Sequence, residues 1–200
     1  ELVDRYLITG MLNGLAAVLC ITKIDLVESQ EELQETTQPY RDMDIPILLT
    51  SSRTGAGLSR LEEQLRGQTT ILAGLSGVGK TSLLMAIQPD LNLRTGTVGV
   101  GATFRGQGRH TTTQVSLLRL ANGATVVDTP GIREFGLASM HKTELAGYYP
   151  EFSPFTGNCR FSNCLHQEEP DCAVRAAVEG GKISAGRYKN YGNILASLSD

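Results

Sequence analysis

The sequence has no apolar run near the ~20 residues a membrane helix needs, no large surplus of either charge, and only four cysteines in 200 residues. The first absence argues against a spanning protein. A formal charge of −3 argues against a surface that is nucleic-acid footprint throughout, although Arg94, Arg105, Arg109 and His110 form one local basic cluster. Four cysteines are too few for a disulfide scaffold, and a chain of this length can bury a core without cross-links. The opening residues, Glu1 to Arg5, lack the basic end and apolar middle of a secretory leader. The expectation is a cytoplasmic protein with no membrane contact.

What is present reads as globular, with 40% hydrophobic and 20% charged residues and 22 glycines. Leu15 to Ile21 and Ile45 to Thr50 are short apolar runs, each followed by polar loop residues and a helix-like stretch, and read as buried parallel strands. Thr69 to Ala73 is a third strand. Gln114 to Leu120 and Ala124 to Val127 read as a hairpin about Ala121-Asn122-Gly123. Helices are expected over Ser29 to Thr37, Leu58 to Leu65 and Lys80 to Ile87, and two more over Ala173 to Val178 and Ile183 to Leu198. Strand and helix alternate, which implies an α/β domain with a mostly parallel sheet and ligands at the carboxyl ends of its strands. Leu91 to Thr113 is glycine-rich without apolar spacing and reads as a long loop.

Gly74-Leu75-Ser76-Gly77-Val78-Gly79-Lys80-Thr81 fits G-x-x-x-x-G-K-[ST], between a predicted strand and a predicted helix. That context separates a phosphate loop from a chance glycine-rich turn. Its glycines let backbone N–H groups approach phosphate oxygens at the positive end of the helix that continues through Ser82. Lys80 supplies a point charge to the outer phosphates, and the Thr81 hydroxyl is a magnesium ligand. Asp128-Thr129-Pro130-Gly131 follows the strand Ala124 to Val127, where Asp128 would hold magnesium and Gly131 would turn the backbone toward the terminal phosphate.

Two further elements address the base. Thr22-Lys23-Ile24-Asp25 resembles the N-K-x-D guanine signature with Thr in place of Asn. A carboxylate there accepts bonds from the ring N–H and exocyclic amine of guanine, whereas adenine presents an acceptor in place of that ring N–H. Lys23 would lay its stem over the base. Ser51-Ser52-Arg53 stands where a second loop would contact the guanine carbonyl through backbone N–H groups. A polar turn after a strand is the ordinary alternative for either element alone. Both base elements precede the phosphate loop, the reverse of the usual GTPase order; nothing physical forbids this, since the site needs only that the loops meet at one sheet edge.

Near the end, Cys159, Cys164, His166 and Cys172 offer three thiolates and an imidazole, a full tetrahedral set for a structural zinc; a loop of free thiols is the alternative. A segment poor in apolar residues is expected to draw its order from that metal. Arg160, Lys182, Arg187 and Lys189 lie nearby and are candidates for meeting nucleic-acid phosphates.

The rotated order, Gly108-Arg109-His110-Thr111-Thr112-Thr113, the run from Asp128 through Ile132 to Leu137, and the terminal Cys/Cys/His/Cys cluster together resemble the ribosome small-subunit-dependent GTPase A family over nearly the whole chain. The resemblance implies a circularly permuted P-loop GTPase domain over residues 1–147 and a small zinc-binding helical subdomain over 148–200. It implies GTP hydrolysis with magnesium, one structural zinc, stimulation by the small ribosomal subunit and its rRNA, and a role as a monomeric switch in late maturation of that subunit. Members usually begin with an oligonucleotide-binding barrel and carry a central strand just ahead of the Asp4 to Leu7 region. The expectation is therefore a piece of a longer chain whose sheet lacks that strand. Thr112, with Thr111 and Thr113 as alternatives, is the candidate for sensing the terminal phosphate through magnesium; His110 is the candidate for positioning water. Ile132 stands where many GTPases place a water-orienting Gln. That substitution motivates two alternatives: a ribosome-binding module that senses GTP with little turnover, and, less favoured, a P-loop ATPase.

Overall fold

A computed structural model describes residues 1–91, 116–128, 137 and 140–199, with backbone alone at Ser116 and Asp128. Contacts divide the chain into two compact units, each drawn from separated stretches. One comprises Glu1–Val18, Glu31–Pro46 and Phe135–Asp200; the other comprises Leu19–Gln30 and Ile47–Glu134. This division does not follow a cut at residue 147.

In the second of these units, β1 (Leu19–Ile21) pairs in parallel with β2 (Ile47–Leu49). A separate three-stranded sheet has the order β3 (Thr69–Leu72), β5 (Thr125–Asp128), β4 (Ser116–Arg119), with β3 parallel and β4 antiparallel to β5. Among the described residues no strand bridges β1 to β3. The first two strands are shorter than the apolar runs that predict them, because only the residues that find a partner form a ladder. Leu15, for example, is 53% exposed, and its N–H closes on the Gly10 carbonyl at 2.8 Å.

Helices α3 (Leu58–Leu65) and α4 (Lys80–Ile87) have the predicted bounds. Leu61 and Leu65 bury on one face of α3 with Leu83 and Leu84 of α4 and Val126 of β5, and Leu58 packs against the same core. The β4–β5 turn is fixed by Asn122, whose Oδ1 accepts the Ala124 N–H at 3.1 Å while its amide donates to the Glu62 carbonyl at 3.1 Å. Gly123 follows at φ +84, a value that favours glycine.

The other unit is helical. It contains α1 (Leu2–Leu12), most of α2 (Gln30–Arg41), short 3-10 segments over Lys142–Tyr148 and Pro150–Phe152, the single turn α5 (Ser153–Thr156), α6 (Ala173–Glu179) and α7 (Ala185–Ser197). Although Pro39 reads as a helix breaker, α2 continues past it to Arg41. Its fixed φ is compatible with a helix, and near the C-terminus the cost is one backbone donor. The segment expected to draw its order from metal belongs to a unit that also has an apolar core. Aromatic residues, scarce overall, concentrate here: Tyr149, Phe152 and Tyr191 meet pairwise at ring-centroid distances of 5.0 to 5.2 Å. Ile8, Leu145, Val174 and Ile194 join them in one buried cluster.

Inside this apolar unit sits an ionic network. Asp4 on α1 is fully buried and bonded to the Arg187 guanidinium on α7. It also accepts from the Tyr40 hydroxyl on α2 at 3.1 Å and from the Asn190 amide at 2.5 Å. Arg187 donates to Glu151 at 2.7 Å and lies over the Tyr149 ring, 4.4 Å from its centroid. Burial opposes the Arg187 charge, but the bonds to Glu151 and the carboxylates around it outweigh that, so its pKa lies above that of an ordinary arginine. Arg187 is thereby removed from the candidates for contacting phosphates. Lys182 and Lys189 are exposed, and Arg160 forms an exposed ion pair with Asp171 at 3.2 Å.

Candidate functional site

Because β1 and β2 run parallel and in register, the loops that follow them, Thr22 to Asp25 and Ser51 to Arg53, leave the sheet at the same edge. The chain turns at Lys23 through the left-handed region, φ +56, and enters a short 3-10 turn over Ile24–Leu26. Asp25 is held by Ser51: the buried Ser51 hydroxyl donates to its Oδ1 at 2.5 Å, and the same Oγ accepts the N–H groups of Arg53 and Thr54, both at 3.2 Å. The Arg53 guanidinium lies 3.8 Å from Asp25 Oδ2 and is otherwise open to solvent. The Ser51 bond, with smaller help from the charges of Arg53 and Lys23, holds the Asp25 carboxyl below its ordinary range. At neutral pH it is an acceptor only, the form that matches guanine's donors.

The phosphate loop joins β3 to α4. Gly74, Gly77 and Gly79 have φ of +148, +78 and +103, so the backbone takes a path other residues rarely follow. A Cβ at position 74 would also approach Val78 Cγ2 at 3.3 Å. Lys80 curls over this loop and donates to the carbonyls of Gly74 at 2.7 Å and Leu75 at 2.9 Å. Its ammonium is therefore above the cradle formed by residues 74–79, where an anionic group would find it.

Direct bonds join the two halves of the site. Thr22 Oγ1 donates to the Val78 carbonyl at 2.6 Å, and Lys23 Nζ donates to the Gly77 carbonyl at 2.8 Å. These two contacts between the base loop and the phosphate loop are not foreseeable from sequence, since they join positions far apart along the chain. The parallel register of β3 with β5 sets Asp128 opposite Leu72, beside the entrance to the phosphate loop. Thr112, His110 and Gly131, with Thr111, Thr113 and Ile132, lie outside the described residues.

The second candidate centre lies in the helical unit. The ligand atoms of Cys159, Cys164, His166 and Cys172 all lie within 4.8 Å of one another. Cys159 Sγ and Cys172 Sγ are 3.6 and 3.4 Å from His166 Nδ1 and 4.0 Å from each other. Tetrahedral zinc, with bonds of about 2.3 Å to sulfur and about 2.0 Å to nitrogen, needs separations of about 3.5 to 3.8 Å. The donor set fits. Burial lowers the His166 pKa, favouring the neutral imidazole that binds metals. Burial, with the nearby Cys172 and Cys159 sulfurs also opposing a charge, pushes the Cys164 thiol up to about 12, a burden a divalent cation would relieve.

Helix α7 braces this loop. Tyr188 donates to the His166 carbonyl at 2.6 Å and Tyr191 to the Leu165 carbonyl at 2.9 Å. Glu169 accepts the N–H groups of Leu165 at 2.6 Å and Gln167 at 2.8 Å. His166 can thus keep a left-handed φ of +59. The sequence singles out the four clustered residues by type and gives no local signature for these supports.

Comparison with known proteins bears on both centres. The sequence profile of the family described as RsgA GTPase matches residues 1–138. A protein named small ribosomal subunit biogenesis GTPase RsgA from Moorella thermoacetica is 44% identical over 198 residues, 99% of this chain and 67% of its own length. Small ribosomal subunit biogenesis GTPase RsgA 1 of Vibrio vulnificus is 39% identical over 202 residues, spanning 100% of this chain and 56% of its own. The crystal structure of YjeQ from Thermotoga maritima superposes with a TM-score of 0.79 at 38% identity, covering 98% of this chain and 64% of that one. That of YloQ, described as a circularly permuted GTPase, gives 0.72 at 33% identity, with 98% and 61% covered. The chain therefore spans roughly three fifths of the length of several proteins it matches.

Proposed function

The chain belongs to the RsgA GTPase family, and from that premise we propose that it binds GTP and GDP with magnesium and hydrolyses GTP as a switch in late maturation of the small ribosomal subunit. The observation that carries this reading is the pair of bonds from Thr22 and Lys23 to the Val78 and Gly77 carbonyls, which make one site of a base loop and a phosphate loop. Asp25 takes the guanine donors and the Ser51 to Arg53 turn takes the carbonyl through the Ser52 N–H, with Ile24 tying the base loop to Thr50. Residues 74–79, with Ser82, cradle the phosphates, Lys80 neutralises them, and Thr81 and Asp128 are the proposed holders of magnesium. Magnesium, when bound, supplies charge to the phosphate oxygens. Thr112 is the proposed sensor of the terminal phosphate, His110 the proposed group for placing water, and Gly131 the turn toward that phosphate.

Zinc, held by Cys159, Cys164, His166 and Cys172, is proposed as a structural ion with no position open to water. The small subunit and its rRNA are the proposed partners of a monomeric, cytoplasmic protein, and the exposed Lys182 and Lys189 remain available for phosphate contact. The test is GTP turnover by the full-length protein with and without small subunits, with Lys80→Ala as the control. Stimulation that vanishes in Lys80→Ala is the expected result. Binding of GTP without stimulated turnover would instead favour a nucleotide-sensing ribosome-binding module, the reading that Ile132 motivates.

A further inference from the structure

Guanine presents its hydrogen-bonding groups around the rim in a fixed order: the 2-amino and ring N1–H donors, then the O6 and N7 acceptors. The Asp25 carboxylate suits the two donors. The two acceptors need donors from the protein, and those on the base loops are mostly committed already. Thr22 has one hydroxyl hydrogen, which goes to the Val78 carbonyl at 2.6 Å. The Lys23 ammonium turns to the Gly77 carbonyl at 2.8 Å. Ser51 gives its hydrogen to Asp25. Among backbone groups, the N–H of Ile24 goes to Thr50, that of Ser51 to Ala56, and those of Arg53 and Thr54 to Ser51 Oγ. Of the Ser51 to Arg53 turn, that leaves the Ser52 N–H outside these bonds, and of the base loop's side-chain hydroxyls it leaves none free.

Resting on the guanine-nucleotide reading above, we infer that this site recognises guanine through its 2-amino, N1–H and O6 groups and is blind to N7. Thr22 sets that limit. An asparagine in its place would carry two amide hydrogens, enough to keep the Val78 bond and spare one for N7, whereas threonine spends its only hydrogen on the phosphate loop. The threonine thus retains the link between the two loops and gives up one contact to the base. The consequence is a tolerance for guanine nucleotides whose seventh ring position carries C–H instead of an acceptor nitrogen.

The test is equilibrium binding of GDP, 7-deaza-GDP, IDP and ADP to the full-length protein and to its Thr22→Asn variant. Expected for the unaltered protein are GDP and 7-deaza-GDP affinities within about twofold of each other, with IDP and ADP weaker by about tenfold or more as Asp25 loses its partners. Thr22→Asn is expected to open a preference for GDP over 7-deaza-GDP of about threefold to tenfold, the range of one hydrogen bond. A loss above about fivefold on 7-deaza-GDP in the unaltered protein, alongside a normal preference for GDP over ADP, would overturn this inference alone. It would point to the Ser52 hydroxyl or Arg53 as the missing donor. Equal affinity for GDP and ADP would overturn the guanine reading and this inference together. The unaltered protein decides the main question, so the result does not depend on how well the variant folds.

Discussion

Arg187 and Ser51 are side chains whose roles follow from their partners. Arg187, 4% exposed, balances Asp4 and Glu151 inside an apolar unit. Removing one member of such a group leaves a buried charge uncompensated, at about 3 to 5 kcal/mol. Arg187→Met is expected to lower unfolding free energy by that amount in denaturant titrations. Asp4→Asn added to it should recover part of the loss, so simple additivity of the two would contradict the pairing. Ser51 acts on chemistry through Asp25. Its bond is the largest influence holding that carboxyl low, so guanine-nucleotide affinity is complete above the Asp25 pKa and falls as pH drops through it. In Ser51→Ala the pKa rises, and the acid limb of GDP binding, followed by titration at descending pH, should move to higher pH. An unmoved limb would show that Ser51 does not set the charge of Asp25. In the same site Asp25→Asn is expected to erase the preference for GTP over ATP in competition.

At the scale of elements, the metal loop and α7 form a braced pair. Elemental analysis should find one zinc per chain, and chelation should lower the melting temperature. Because Tyr149, Phe152, Tyr191 and Ile194 make a core of their own, far-ultraviolet helical signal should survive metal loss below that melting point. Collapse to an unfolded spectrum on chelation would return the unit to the class of domains ordered by metal alone. Tyr191→Phe, which deletes one hydroxyl bonded to the Leu165 carbonyl, is expected to cost about 1 kcal/mol. Neither the Tyr188 nor the Tyr191 contact has a local signature in the sequence. Helices α3 and α4 were legible to the residue because Leu58, Leu61 and Leu65 repeat at helical spacing and Gly79-Lys80 marks a helix start. The Cys159, Cys164, His166 and Cys172 cluster and the glycine-rich loop before α4 were legible because the chemistry each suits restricts residue type. Helix α1 was not, since its buried face includes Asp4, a charge whose partner stands on the last helix. Nor was the bond from Thr22 to Val78, which depends on loops that meet only in the fold.

At the scale of the molecule, chain order and spatial order part company. The stretch Leu19–Gln30, which carries Thr22 to Asp25, lies between two stretches that belong to the helical unit, Glu1–Val18 and Glu31–Pro46. Asp4 of α1 and Tyr40 of α2 both reach the Arg187 cluster, so the elements flanking the base loop are completed by residues from the far end of the chain. A cut at residue 147, natural from the motifs, would therefore strip α1 and α2 of their partners. Asp4 would lose its guanidinium, and Ile8, 2% exposed in the intact chain, would lose the cluster that Tyr149, Phe152 and Tyr191 build. Exposing such a side chain costs about 1.5 to 3 kcal/mol, and the uncompensated carboxylate adds about 3 to 5 kcal/mol, a sum comparable with the whole stability of many domains. A fragment of residues 1–147 is thus expected to aggregate or melt without a cooperative transition, although it contains every described residue assigned to the nucleotide. A cooperative melt of that fragment matching that of the full chain would show instead that α1 and α2 hold their places without the C-terminal helices.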